Sequence, residues 1–150
     1  MLKNLFNFLN SHRMMAIASF DKDVWITNVF YGINTELKIY FISNDGTRHS
    51  KQIMKNPKVA FSVAWFNPSD HSDRKGVQGQ GICRKAKSDT EIKEGVGLHN
   101  KHFPEFASRI TFDWAKSSKN NPGVWVIKPK LIKYWDDRLY GKEEFKEFTF

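Results

Sequence analysis

LKIYFISNDGTRHSKQIMKNPKVAFSVAWF, residues 37–66, passes from one apolar stretch through a polar, basic turn and a short helical pattern into a second apolar stretch. In the second stretch Val59, Phe61, Val63 and Trp65 share one face at period 2, and Ala60, Ser62, Ala64 and Phe66 share the other. That alternation is a strand, and small residues opposite large ones suit a barrel wall. Residues 37–43 are rich in β-branched and aromatic types and read as the preceding strand. Between the two, residues 47–56 have room for about three helical turns, with Asp45 or Thr47 as N-cap and Asn56-Pro57 as the stop.

Working outward, residues 14–20 and 24–31 read as two more strands, separated by Asp21-Lys22-Asp23. Before them Leu2, Leu5, Phe6 and Leu9 fall on one face of an amphipathic helix that ends near residues 10–12. Downstream, the polar segment 67–75 contains Pro68 and is predicted to be a mobile loop. Residues 76–87 read as a fifth strand whose glycines at 76, 79 and 81 imply bending or close backbone approach. Ser88 and Glu91 are spaced as a capping box opening a polar helix, and residues 103–115 are a second helical stretch. A turn at 120–123 then precedes strands at 124–127 and 131–135.

Six or seven strands joined mainly by hairpins predict a mainly β (α+β) chain. The expected fold is an antiparallel split β-barrel with short helices at the N-terminus, after the third strand and before the last strands. A doubly wound α/β sheet fits less well, because the first three strands leave no room for crossover helices.

Composition narrows the function classes. At 150 residues, length predicts one domain spanning 1–150, and 22 aromatic side chains exclude a disordered chain. The single cysteine, Cys83, excludes an internal disulfide and a cysteine-based metal cluster, and points to a reducing compartment. No stretch approaches the roughly 20 apolar residues of a membrane span. The first ten residues lack the apolar run and cleavage site of a signal peptide, so the expected location is cytoplasmic. The formal charge of +8 divides equally between the two halves of the chain. Without a basic stripe, a nucleic-acid groove is disfavoured against a site for one small anion.

SNDGTRHSK, residues 43–51, is where such an anion would sit. Hydroxyls at Ser43, Thr47 and Ser50 and the bases Arg48, His49 and Lys51 gather around a helix start. There, unpaired N–H groups and the positive dipole end favour phosphate, and the arginine fork matches its oxygens. A capped, solvated helix bearing ordinary surface bases fits the same residues equally well.

The segment also resembles the flavin mononucleotide-binding split barrels related to pyridoxamine 5'-phosphate oxidase. Phe41-Ile42-Ser43-Asn44, then Thr47-Arg48-His49, then Asn56-Pro57 stand at that family's spacing. VQGQGICRKA (77–86) is similar to its next strand, and VWVIKPKLIKYWDD (124–137) to its closing strands. The likeness extends to a small bacterial branch of the superfamily through WITNVFY (25–31), HNKHFPEF (99–106) and the ending YWDDRLYGK (134–142). The resemblance implies FMN as cofactor and a homodimer with the flavin at the subunit interface. It also implies a flavin-dependent oxidoreductase acting on a small-molecule substrate or drawing on a nicotinamide reductant. Residue by residue it implies that Thr47, Arg48 and His49 hold the phosphate, that Ile42 and Ser43 flank the flavin, and that Gln78 meets the polar edge of the ring; it names no catalytic residue.

Three positions depart from the oxidases. His49 replaces a lysine, residues 24–31 lack the oxidases' basic pair, and DDRLYGK (136–142) replaces their substrate motif. Two other readings remain: a non-catalytic flavin- or haem-binding or sensing barrel, and a barrel that stacks single-stranded nucleic acid, for which the basic stripe is missing. His99 and His102 could share a helix face, but no acidic or cysteine partner completes a metal set. No metal site is expected.

Overall fold

The period-2 patterning is realised as one large antiparallel sheet. A computed structural model describes residues 2–117 and 122–150. Helix α1 (Leu2–Ser11) leads into β1 (Met14–Asp21) and β2 (Asp23–Phe30), a hairpin that turns on Lys22 at φ 65°. The short β3 (Gly32–Ile33) pairs with β4 (Ile39–Asn44), followed by α2 (Arg48–Lys55). Next come β5 (Lys58–Asn67), β6 (Asp70–Lys85) and α3 (Asp89–His102). A 3-10 turn at Pro104–Phe106, α4 (Phe112–Lys116), β7 (Pro122–Asp136) and β8 (Phe145–Thr149) complete the chain.

The strand order is β2-β1-β5-β6-β7-β4-β3, with β8 beside β7 and every pairing antiparallel. Curled on itself, this sheet is a split β-barrel. Its interior is filled by alternate residues of the strands, among them Ile17, Ile39, Phe41, Phe61, Val63, Val77, Trp125 and Ile127. α1 inserts Leu5, Phe8 and Leu9 at one end of this core, while α2 contributes Ile53. A second cluster lies behind β4 and β7, where Tyr40, Val124 and Val126 meet Val96 of α3 and Ala115 of α4.

Gly79 shows why the fifth predicted strand is rich in glycine. The Phe61 ring lies directly over its Cα, in the space a Cβ would fill. The close approach expected there is thus made by a core phenylalanine. Ser88 caps α3 by accepting from the Glu91 N–H, in agreement with the capping-box reading.

Four expectations change. The predicted mobile loop at 67–75 is mostly strand: β5 and β6 form a long hairpin that turns between Asn67 and Asp70, because the backbone pairing of Trp65 with Lys75 and Phe66 with Arg74 continues past the apolar core. The strands predicted at 124–127 and 131–135 are one strand, since Pro129 sits beside a bulge of β7 at Lys130, where the register against Gln80 and Gly81 of β6 shifts. The helical stretch at 103–115 divides into the 3-10 turn and α4, with Thr111 capping α4 through the Trp114 N–H. β8 has a mixed polar sequence and was not anticipated. The turn expected at 120–123 lies partly outside the described residues. Among the described residues, no helix is long and apolar enough to cross a membrane.

Candidate functional site

The end of β4 and the start of α2 gather four of the six predicted site residues, Ser43, Thr47, Arg48 and His49. Thr47 is the N-cap: its Oγ1 accepts from the Ser50 N–H at 3.2 Å, while its own N–H donates to the Asn44 carbonyl. His49 turns inward, 8% exposed, with Nε2 2.7 Å from Ser43 Oγ and 3.2 Å from Thr47 Oγ1. Burial lowers the His49 pKa, which favours the neutral imidazole. In place of a second cation beside Arg48, the chain therefore has an uncharged ring that ties strand end to helix start.

Arg48 points the other way. Its guanidinium carbon lies 4.2 Å from the centroid of the exposed Trp25 ring on β2. The stack holds the fork at the barrel rim with its edge N–H groups open to a ligand. As the first positions of α2, Arg48 and His49 also have backbone amides with no intrahelical acceptor.

Behind the turn, Trp125 donates from Nε1 to the Ser43 carbonyl at 3.1 Å and stacks on Phe41 at 6.2 Å. Lys85, at the end of β6, donates to Asp45 Oδ2 at 2.7 Å. Of the residues around this site, Trp25 and Lys85 were not singled out from sequence, Asp45 was offered as an alternative N-cap, and Trp125 as a residue that the family resemblance allows beside a cofactor or subunit interface. They reach it from three other strands and a turn, and only the pairing of β7 with both β4 and β6 brings Trp125 and Lys85 beside Ser43.

The other two predicted residues lie elsewhere. Ile42 is adjacent to Ser43 on a strand and so points to the opposite face, where it packs on the cluster under α3 and α4. Gln78 is exposed on the outer face of β6, opposite Ser62 and Lys133, in a separate hollow with Trp135 and Phe145. That outer face carries a run of exposed apolar side chains. Val24 is 77% and Ile26 66% exposed, with Met14, Phe20, Phe30 and Phe66 also open.

Cys83 is buried, and burial pushes its thiol up to about 12, as suits a packing residue. His99 Nδ1 lies 3.1 Å from Asn100 Oδ1. Among the described residues no three His, Cys, Asp or Glu side chains converge as a metal site.

The architecture defines the class: an antiparallel split β-barrel with short helices at its ends and edges. The family model described as pyridoxamine 5'-phosphate oxidase matches residues 1–136, and the chain belongs to that family. No curated protein sequence matches it. Among solved structures it resembles a haem-binding protein from Mycobacterium smegmatis (TM-score 0.78, 15% identity), over 99% of this chain and 57% of that one. It also resembles a NimC/NimA family protein from Clostridium acetobutylicum (TM-score 0.68, 18% identity, 99% of this chain and 92% of that one). A third is HutZ, a haem storage protein from Vibrio cholerae (TM-score 0.65, 14% identity, 99% and 94%). The chain thus spans little more than half the length of the mycobacterial protein.

Proposed function

We propose that the chain is a single FMN-binding domain, active as a homodimeric, cytoplasmic flavin-dependent oxidoreductase on a small-molecule substrate or a nicotinamide reductant. The observation that supports it most is the donor set at the start of α2. A planar guanidinium and two helix amides without an intrahelical acceptor lie at the barrel rim beside the capping Thr47, in a chain of the pyridoxamine 5'-phosphate oxidase family. This set fits a phosphate monoester. Arg48 and the amides of Arg48 and His49 would bind its oxygens, and Thr47 and Ser43 would orient it through their hydroxyls. Neutral His49 keeps the two hydroxyls in place without adding charge. FMN, when bound, supplies hydride or electron transfer. The exposed apolar face supports the dimer, and a second copy seated on it would also cover Gln78.

A second reading, a non-catalytic flavin or haem binder, draws support from the two haem-associated proteins of the same fold. One experiment separates flavin from haem: the visible spectrum of the purified protein, followed by FMN titration of the colourless fraction monitored by flavin fluorescence, with nicotinamide-dependent turnover then dividing a catalytic from a non-catalytic flavin protein. Flavin bands or saturable quenching, weakened about tenfold or more in Arg48→Ala, are expected. A Soret band favours the haem reading, and FMN affinity untouched by Arg48→Ala refutes the cradle.

A further inference from the structure

The inward face of the sheet does not stay apolar to its end. Val63, Val77 and Tyr134 form one cross-strand row of the core. Two residues further on, the next row is Trp65, Lys75 and Asp136. Between that row and α1 opens a cavity of about 660 Å³, whose walls include Phe8, Asn7, His12, Trp65 and Lys75. Small-molecule sites commonly occupy roughly 300–1,000 Å³.

The charges in this cavity are unequally committed. Asp136 is buried and satisfied: Oδ1 accepts from the N–H groups of Arg138 (3.1 Å) and Leu139 (3.0 Å), and Oδ2 accepts from the Tyr134 hydroxyl at 3.0 Å. Arg138 is held by Asp70 at 2.8 Å. Lys75 differs. Its Nζ is 3.9 Å from Asp136 Oδ2, beyond hydrogen-bond distance, and 5.0 Å from the centroid of the Trp65 ring. Its three N–H donors have no hydrogen-bond acceptor among the described residues. His12 donates from Nδ1 to the Phe8 carbonyl at 2.7 Å, which leaves Nε2 as an acceptor on the cavity wall. Flat apolar surface comes from Trp65; Phe8 behind it is buried, packed against His12 at 4.4 Å and Tyr134 at 5.4 Å, and forms the floor.

We infer that this barrel mouth is a second ligand site, taking a planar aromatic anion whose ring lies on Trp65 and whose carboxylate or phosphate meets Lys75. The charge held only by a long ion pair is the positive one of Lys75, which sits beside the indole, so ring and anion are recognised together. The site is independent of the flavin reading. It lies at the Asp136 end of the fifteen-residue β7, whereas Ser43 pairs near the other end, at Gly123.

The test is NMR of the tryptophan indole N–H groups in ¹⁵N-labelled protein titrated with 1-naphthyl phosphate and 2-naphthoate. Cyclohexanecarboxylate and inorganic phosphate serve as controls lacking the flat ring. Both aromatic anions are expected to shift the Trp65 signal saturably, with the controls at least about tenfold weaker. Lys75→Met, or Lys75→Gln if the first does not fold, should weaken binding about tenfold or more, and Lys75→Arg should retain it. Arg48→Ala should leave these shifts intact whether or not it abolishes FMN binding, so the two sites fail separately. Shifts centred on Trp25 and lost in Arg48→Ala, equal binding by the Lys75 variants, or no saturable shift up to about 5 mM would each overturn the assignment.

Discussion

Replacing Tyr31 with phenylalanine removes one oxygen from a place that water does not reach. The side chain is 2% exposed, and its hydroxyl donates to the Leu9 carbonyl in the last turn of α1 at 2.6 Å. That carbonyl's other donor, the His12 N–H, is at the longer distance of 3.3 Å. Phenylalanine fills nearly the same volume, so the cost is the lost hydrogen bond and a poorly satisfied buried carbonyl, about 1–2 kcal/mol. In a chain of this size each kcal/mol moves Tm by about 2–4 °C, so a fall of about 2–8 °C is expected. A second signature follows from ionisation. Burial, opposed by the charge of Arg13, raises the Tyr31 pKa well above the ordinary value near 10. Above that pH the unfolded chain binds fewer protons than the folded one, so the stability this tyrosine contributes is present below about pH 10 and is lost as pH rises. The variant lacks this loss, and its deficit against the parent should therefore narrow. Urea denaturation followed by tryptophan fluorescence at about pH 8 and about pH 11 measures both effects. A variant as stable as the parent at the lower pH, or an unchanged deficit at the higher one, refutes the reasoning.

Other outcomes follow from the same coordinates. Burial lowers the His49 pKa, so its share of stability is present above about pH 6.5 and lost as pH falls through the lowered folded value. His49→Asn should flatten the acid limb of urea midpoints between about pH 7 and pH 5, leaving the part due to His102, whose pKa burial also lowers. Gly79→Ala places a methyl group in the Phe61 ring and should cost about 1–3 kcal/mol by chemical denaturation, partly recovered when Phe61→Leu is added. Val24→Lys with Ile26→Lys puts two charges on the exposed apolar face and should convert the proposed dimer to a monomer in gel filtration with light scattering, while secondary structure by circular dichroism stays unchanged.

The barrel was legible because its signals are local. Alternation in 59–66, the Asn56-Pro57 stop and the Ser88 and Glu91 cap each depend on residues within a few positions of one another, and each is realised. Residues 67–75 were misread because polar side chains suggest a loop, whereas the β5–β6 hairpin there is held by backbone pairing that any side chain permits. The site was half legible. Thr47, Arg48 and His49 are consecutive, and a capped helix start brings them together with Ser43. Sequence could not show that His49 turns inward while Arg48 leans on Trp25, since neighbouring positions on a helix diverge and their environments come from distant strands. Nor could it place Gln78, which depends on the face of a sheet.

Strand β7 is made last among the central strands, yet it sits between β6 and β4 in the sheet. While the chain emerges from a ribosome, β2-β1-β5-β6 and β3-β4 can form only as separate pieces, each exposing an unpaired edge. Lys75 then waits for Asp136, and Ile39 for Ile127. Such sequence-distant closures are slow, on the order of milliseconds to seconds for sheet-dominated domains. Agents that prolong the wait, such as a truncation before residue 122 or a stalled ribosome, should leave two open β edges for other chains to join.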